Sequence, residues 1–304
     1  MGHPPDLALR TREPETSAPT LKVRCREIGT ADLERIVDML TEGYQISNRD
    51  FWGRRIKRLS EHSPPPGYPK YGFLLECDGT PVGVIFTLFS YVIVNGIRKI
   101  RCYPVTWYVA RSYRTYAASL ASRALKYKDV TYIIGTPIDH VLPILAAQGY
   151  VRFCEGRFIA VPALSRQSEP VHVELAAPNL QADSDITPFE VELLSRHTGY
   201  GCISLICTNA TGKFPFVFHP LRKRGLVPFA RLVYCRDFDD FIRFAGAIGR
   251  FLVRRGYPFV VLDANGPVRG LVGVYSNNFP KHFKGPDRPR LGDFAYSSRV
   301  IFDY

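Results

Sequence analysis

Two dipeptides do most to limit the fold. Asp78-Gly79 separates the apolar runs Gly72 to Cys77 and Pro81 to Tyr91, and Asn95-Gly96 separates the second run from Ile97 to Val109. Asp, Asn and Gly tolerate the positive φ of a two-residue hairpin turn, whose twist matches that of the strands it joins. The chain is thereby committed to a three-stranded antiparallel meander, and its neighbours must pack on that sheet.

The flanking segments supply helices. Leu21 to Ile28 alternates and predicts a strand. After Thr30, Leu33, Ile36, Val37 and Leu40 form one apolar stripe at helical spacing. A second helix is expected over Asn48 to Leu59, ended by Ser63-Pro64-Pro65-Pro66-Gly67. Beyond the meander, Ala117 to Leu125 predicts a helix and Val130 to Gly135 a strand. Leu142 to Gln148 predicts a short helix stopped by Gly149, and Tyr150 to Val161 one last strand. Strand–helix–strand connections require some parallel pairing. The expected class is therefore α/β (α+β): a mixed, mostly antiparallel sheet flanked by helices.

The second half partly echoes this order. Glu190 to His197 reads as helix. Gly201 to Cys207, Phe214 to Phe218 and Val227 to Arg236 read as strands, Asp237 to Arg255 as a long helix and Phe259 to Ala264 as a strand. An internal duplication follows. Residues 21–165 and 180–304 would be the two units, joined by a linker near Ser165 to Gln181. Met1 to Thr20 is rich in Pro, Glu, Thr and Arg without an apolar face, and is expected to be disordered.

Val105 to Leu125 is the segment most suggestive of binding. A strand that turns into a helix presents converging N–H groups, strengthened by the helix dipole, which suits phosphate oxygens. Ala117, Ala118 and Ser119 are small enough for close approach, and Arg114 adds a full charge. The same residues also suit a helix start packed into a core, and the residues alone leave both readings open.

The element order and these residues resemble the GNAT superfamily of acyl-CoA acyltransferases. The family's phosphate loop, R/Q-x-x-G-x-G/A, is similar to Arg114-Thr115-Tyr116-Ala117-Ala118-Ser119. A second family segment is similar to Tyr132 to Pro137 followed by Ile144 to Tyr150. The resemblance spans about Val23 to Val161 and implies a tandem of two GNAT-like units. It implies that CoA pyrophosphate lies on Arg114, Thr115, Tyr116, Ala117, Ala118 and Ser119, with pantetheine running along Trp107 to Val109. An oxyanion would be held by an N–H near Val109 or Ala110. Acetyl-CoA or a longer acyl-CoA, or else a carrier-protein thioester, would be the donor substrate, with no metal, and an amine or hydroxyl of a small molecule the acceptor. The family's acid and base are missing: Leu145 stands where a Tyr is frequent, and Ile97 to Val109 has no carboxylate. His140, Asp139 and Tyr108 are the candidates left, His140 because imidazole titrates near neutrality. The alternative is a ligand-sensing or scaffolding protein that keeps the fold without the chemistry. In the second half, Phe244-Ala245-Gly246-Ala247-Ile248-Gly249 looks like a degenerate copy of the loop that does not bind.

Charge and cysteine usage bound the partners. A formal charge of +12 suits an anionic ligand or partner. The basic clusters Arg54-Arg55-Ile56-Lys57-Arg58 and Arg222-Lys223-Arg224 would suit an acidic acyl carrier protein, and no nucleic-acid reader motif is present. Phe51 and Trp52 suit either an acceptor site or the core. The basic stretch Phe283 to Arg290 reads as an irregular rim loop. Seven scattered cysteines point to reduced, mostly buried thiols. No apolar run is long enough to span a bilayer and no signal peptide is evident, so a cytoplasmic location is expected.

Overall fold

The computed structural model describes residues 22–44, 47–135, 141–166, 169–221 and 227–302. The first half carries β1 (Val23–Glu27), α1 (Leu33–Gly43), α2 (Arg49–Glu61), β2 (Gly72–Cys77), β3 (Thr80–Val94) and β4 (Ile97–Val109). It continues with α3 (Ala117–Ala124), β5 (Val130–Ile134), α4 (Leu142–Ala147), β6 (Val151–Cys154) and β7 (Gly156–Ala160). The second half carries β8 (His172–Leu175), α5 (Pro188–Gly199), β9 (Ile203–Asn209), β10 (Gly212–Leu221) and β11 (Phe229–Cys235). Then follow α6 (Phe238–Val253), β12 (Phe259–Ala264), β13 (Gly273–Ser276), β14 (Lys281–Lys284) and α7 (Ser298–Phe302).

Both turn dipeptides behave as their chemistry requires. Asp78 and Gly79 have φ of 47° and 80°, and Asn95 and Gly96 of 51° and 77°. The resulting hairpins pair β2 with β3 and β3 with β4 in antiparallel register.

Two seven-stranded sheets result, with orders β1-β2-β3-β4-β5-β14-β6 and β13-β7-β12-β11-β10-β9-β8. They correspond strand for strand. In each, four antiparallel strands lead to one parallel pair, β4 with β5 and β11 with β12. This is the expected mixed, mostly antiparallel architecture in duplicate. The sixth position, however, is filled reciprocally. β14, from the second half, lies between β5 and β6, while β7, from the first, lies between β12 and β13.

That exchange revises three expectations. The strand expected over Tyr150 to Val161 is two strands, β6 and β7, and the chain passes from one sheet to the other at Glu155. The segment Ser165 to Gln181 is not merely connecting chain, since β8 within it forms an edge of the second sheet. The stretch expected as a rim loop, Phe283 to Arg290, begins inside β14, an interior strand of the first sheet.

The halves also share a core. Ile36, Leu40 and Leu59 from α1 and α2 belong to one buried cluster with Val233, Phe294 and Ile301 from the second half. Trp52 is buried in this cluster, with Phe51 half-buried against it, so the core reading of that pair holds. The small residues of α6 have a packing role. A Cβ at Gly249 would lie 2.1 Å from the backbone N of Ala163, so glycine lets the helix meet the Pro162–Leu164 turn backbone to backbone. None of the seven cysteines is disulfide-bonded; six are buried and Cys25 is half-buried. No helix among the described residues is long and apolar enough to cross a membrane.

Candidate active site

β4 and β5 are paired only from Ile100–Val130 to Cys102–Tyr132. Beyond Cys102, β4 keeps β3 on one side and has no strand among the described residues on the other. The diverging strands open a cavity of about 170 Å³, lined by Tyr103 to Thr106 from β4 and by Ile133 to Gly135 from the end of β5.

A bulge sits at this divergence. Val84 pairs with Tyr108 and Phe86 with Val105, so Ile85 opposes both Thr106 and Trp107. Thr106 absorbs the extra residue with a φ of 49°, a left-handed conformation that costs a β-branched residue about 1–2 kcal/mol. The bulge reverses the alternation of side chains. Tyr108 joins Tyr103 and Val105 on the face that meets α1 and α2, whereas Trp107 and Val109 pack with Ile85 and Leu120 on the α3 face.

The second half closes the cavity. Arg231 of β11, Lys281 of β14, Phe294 and Ser297 to Arg299 form its remaining wall. Asp263 of β12 pairs with both Arg231 and Lys281, and all three are buried. Burial pushes the Lys281 ammonium down to about 7, and Arg231 adds to this against the attraction of Asp263. Burial alone would raise the Asp263 carboxyl, but the two cations outweigh it and hold the group below its ordinary value. The cavity wall thus carries a buried amine whose charged form is weakened by burial. Sequence reasoning missed Lys281, Asp263 and Arg231. Their one visible signal was charge within short apolar strands.

The matching gap in the second sheet is filled. β11 pairs with β12 only as far as Arg231. Beyond that point the chain's own Gly292–Phe294 lies alongside β11. Phe294 N–H donates to the Val233 carbonyl (2.7 Å), Cys235 N–H donates to the Gly292 carbonyl (2.8 Å), and Tyr234 and Asp293 form an antiparallel bridge. Arg101 of β4 holds this plug from the first half, donating to the Asp293 carbonyl (2.9 Å) and carboxylate (3.0 Å). One strand gap is therefore open and the other is occupied by protein backbone.

The segment expected to hold phosphate forms a 3-10 turn over Arg111–Tyr116 that runs into α3. Arg114, Thr115, Tyr116, Ala118 and Ser119 are exposed and Ala117 half-buried, so a ligand can reach them. Part of the expected N–H cradle is already engaged. Tyr113 N–H donates to the Ala110 carbonyl (2.8 Å) and Ala117 N–H to the Arg114 carbonyl. Ala110 N–H donates to the Val82 carbonyl (2.8 Å), so it belongs to the sheet and is not available to an oxyanion. Tyr108 packs against Tyr44, with ring centroids 5.4 Å apart, and is not among the cavity's lining residues. Leu145 and Tyr150 are both buried in one apolar cluster. Asp139, His140 and the cluster Arg222-Lys223-Arg224 lie outside the described residues.

No protein-family model matches the sequence, and no curated protein matches it. Solved structures do match. One is a GCN5-related N-acetyltransferase from Anabaena variabilis, with a TM-score of 0.55 at 11% identity, covering 86% of this chain and 72% of that one. Another, from Kribbella flavida, has a TM-score of 0.53 at 14% identity, covering 87% and 71%. At such identities the likeness is one of fold. The chain has the GNAT fold, as a tandem of two such units.

Proposed function

We propose that the protein is an acyltransferase whose reaction takes place at the open gap beside β4, and that the second unit acts as its wall. The contrast between the two gaps carries this reading. In the second sheet an extended segment, Gly292–Phe294, hydrogen-bonds to β11 as an added strand. An extended pantetheine-like arm would bond to β4 beyond Cys102 in the same manner. Its thioester would reach the cavity at Tyr103 to Thr106, and its phosphates would lie on the exposed turn from Arg114 to Ser119. The donor in this reading is acetyl-CoA or a longer acyl-CoA, and the acceptor is an amine or hydroxyl of a small molecule. The two units divide near residues 165–180 in sequence.

Lys281 serves as the proton acceptor. The acceptor's nitrogen or oxygen attacks the thioester carbonyl, giving up its proton to neutral Lys281. The C–S bond breaks, and the departing thiolate takes the proton back from Lys281. Asp263 and Arg231 hold the amine in place. Holding donor and acceptor together supplies much of the remaining acceleration.

Unfolding measured with and without CoA and acyl-CoA tests this. Ligand at 100 times its dissociation constant is expected to stabilise the protein by about 2.7 kcal/mol. Arg114→Glu should remove that gain. No stabilisation by CoA or by any acyl-CoA chain length would sink the proposal, and stabilisation without turnover over an amine panel would point to a ligand sensor.

A further inference from the structure

A larger opening lies away from the proposed acyl site. The hairpin between β3 and β4, the start of α5 and the segment before the plug enclose a cleft of about 680 Å³. Arg98, Arg101, Arg236, Arg288 and Arg290 line it, against only two carboxylates, Glu190 and Asp293, which leaves an excess of three positive charges. The carboxylates are already committed. Glu190 accepts from Arg236 (2.8 and 2.9 Å) and from the Tyr234 hydroxyl (3.1 Å), and Asp293 accepts from Arg101 (3.0 Å). Arg98 and Arg288 are exposed and have no carboxylate partner among the described residues. Two guanidinium nitrogens, Nε of Arg101 and Nη1 of Arg290, are buried without a hydrogen-bond partner among the described residues. Arg101 as a whole is 3% exposed.

This arrangement asks for an anion. Guanidinium groups gathered in a cleft bind phosphate or carboxylate oxygens by paired, charge-assisted hydrogen bonds. The N-terminus of α5 borders the same cleft through Thr187 to Glu190, and its first turn is capped by the Glu190 carboxylate, so the arginines supply the positive charge. The charge excess is matched by two phosphates rather than by a single carboxylate. The volume exceeds what two phosphates fill, and the apolar residues Ile93, Val94 and Phe189 provide a surface for an organic group.

We propose that this cleft binds a small organic molecule bearing two phosphate groups or a diphosphate. The site is separate from the acyl cavity. Arg101 and Asp293 line the cleft while their neighbours Tyr103 and Phe294 line the cavity, so the buried ion pair stands between them. The inference does not depend on the acyltransferase reading.

Inorganic pyrophosphate, titrated calorimetrically into the full chain at constant ionic strength, is the probe. Saturable binding is expected. The double variant Arg98→Gln/Arg288→Gln should weaken it by about a hundredfold or more, since two charge-assisted bonds are lost. These two side chains are exposed, so folding should be preserved, and an unchanged melting curve confirms it. Arg254→Gln, an exposed change outside the cleft, should leave pyrophosphate binding intact. Binding that survives the double variant but is lost in Arg114→Gln would move the anion to the α3 turn, which overturns this inference while supporting the acyl-donor site. Absence of saturable binding at millimolar pyrophosphate overturns it as well.

Discussion

Lys281 on β14 and Asp263 on β12 form a buried ion pair across the two sheets. Burial, opposed by Asp263, sets the protonation state of the amine facing the cavity, and the pair gives the most direct handle on the proposed chemistry.

If neutral Lys281 accepts the proton, turnover should rise with pH through about 7, because the active form is the deprotonated one. Lys281→Met should lose about 100-fold in kcat, within the usual range for removing a general base, and should lose the pH-dependent rise. Lys281→Arg should be equally slow up to high pH, since guanidinium stays protonated. A pH–rate profile that is the same in wild type and Lys281→Met would remove Lys281 from the chemistry.

Arg101 and Asp293 are both about 4% exposed, so neither charge can be left alone cheaply. Arg101→Met leaves the Asp293 carboxylate with Arg290, 3.9 Å away, as its remaining ion-pair partner. Breaking a buried pair by removing one partner costs about 3–5 kcal/mol, and urea unfolding should show a loss of that order. A change below 1 kcal/mol would mean that the plug does not need this clamp.

His197 predicts how the protein responds to acid. Its Nδ1–H donates to the Leu193 carbonyl (2.7 Å) and its Nε2 accepts the Tyr296 N–H (3.1 Å), so the ring is neutral when both bonds form. Burial holds it at about 4, against 6.5 in the unfolded chain. The unfolded state therefore binds the extra proton between these values. Stability present above pH 6.5 should fall by about 3 kcal/mol as pH drops toward 4. Chemical denaturation at several pH values measures this slope, and His197→Gln should flatten it.

Two helical glycines should respond in opposite ways. Gly249 has backbone within 2.1 Å of where a Cβ would sit, and that backbone cannot swing aside as a side chain can. Gly249→Ala should therefore destabilise by about 2 kcal/mol or more. Gly53 in α2 has nothing within 4 Å, so Gly53→Ala should stabilise by about 0.5–1 kcal/mol through helix propensity alone. Thermal melts of the two variants decide it.

What could be read from the sequence was what short-range chemistry specifies. Asp78-Gly79 and Asn95-Gly96 fix their hairpins because the turn requires only its own residues to accept positive φ. The stripe of α1 was equally plain, because its period is written in eleven consecutive residues. The exchange of β7 and β14 could not be read, since a four- or five-residue strand carries no mark of the sheet it will join. Phe244 to Gly249 resembled a worn phosphate loop because small residues serve close approach to a ligand or to another helix face alike. Of the candidate site, the strand β4 was legible, since the cavity is lined by its Tyr103 to Thr106. The site was not legible at Thr106, where the bulge reverses the alternation, or at Lys281 and Asp263, which meet only through the fold.

The reciprocal placement of β7 and β14 ties the fate of each sheet to the other half of the chain. Ending the chain near residue 165 would strand β5 and β6 with facing edges and no strand between them, while β7 would be left with no sheet to enter. Unpaired edges recruit strands from other molecules, so such a fragment would tend to self-associate through swapped strands. Each half carries a piece of the other's hydrogen-bond ladder, so the two halves should lose their sheets in one transition.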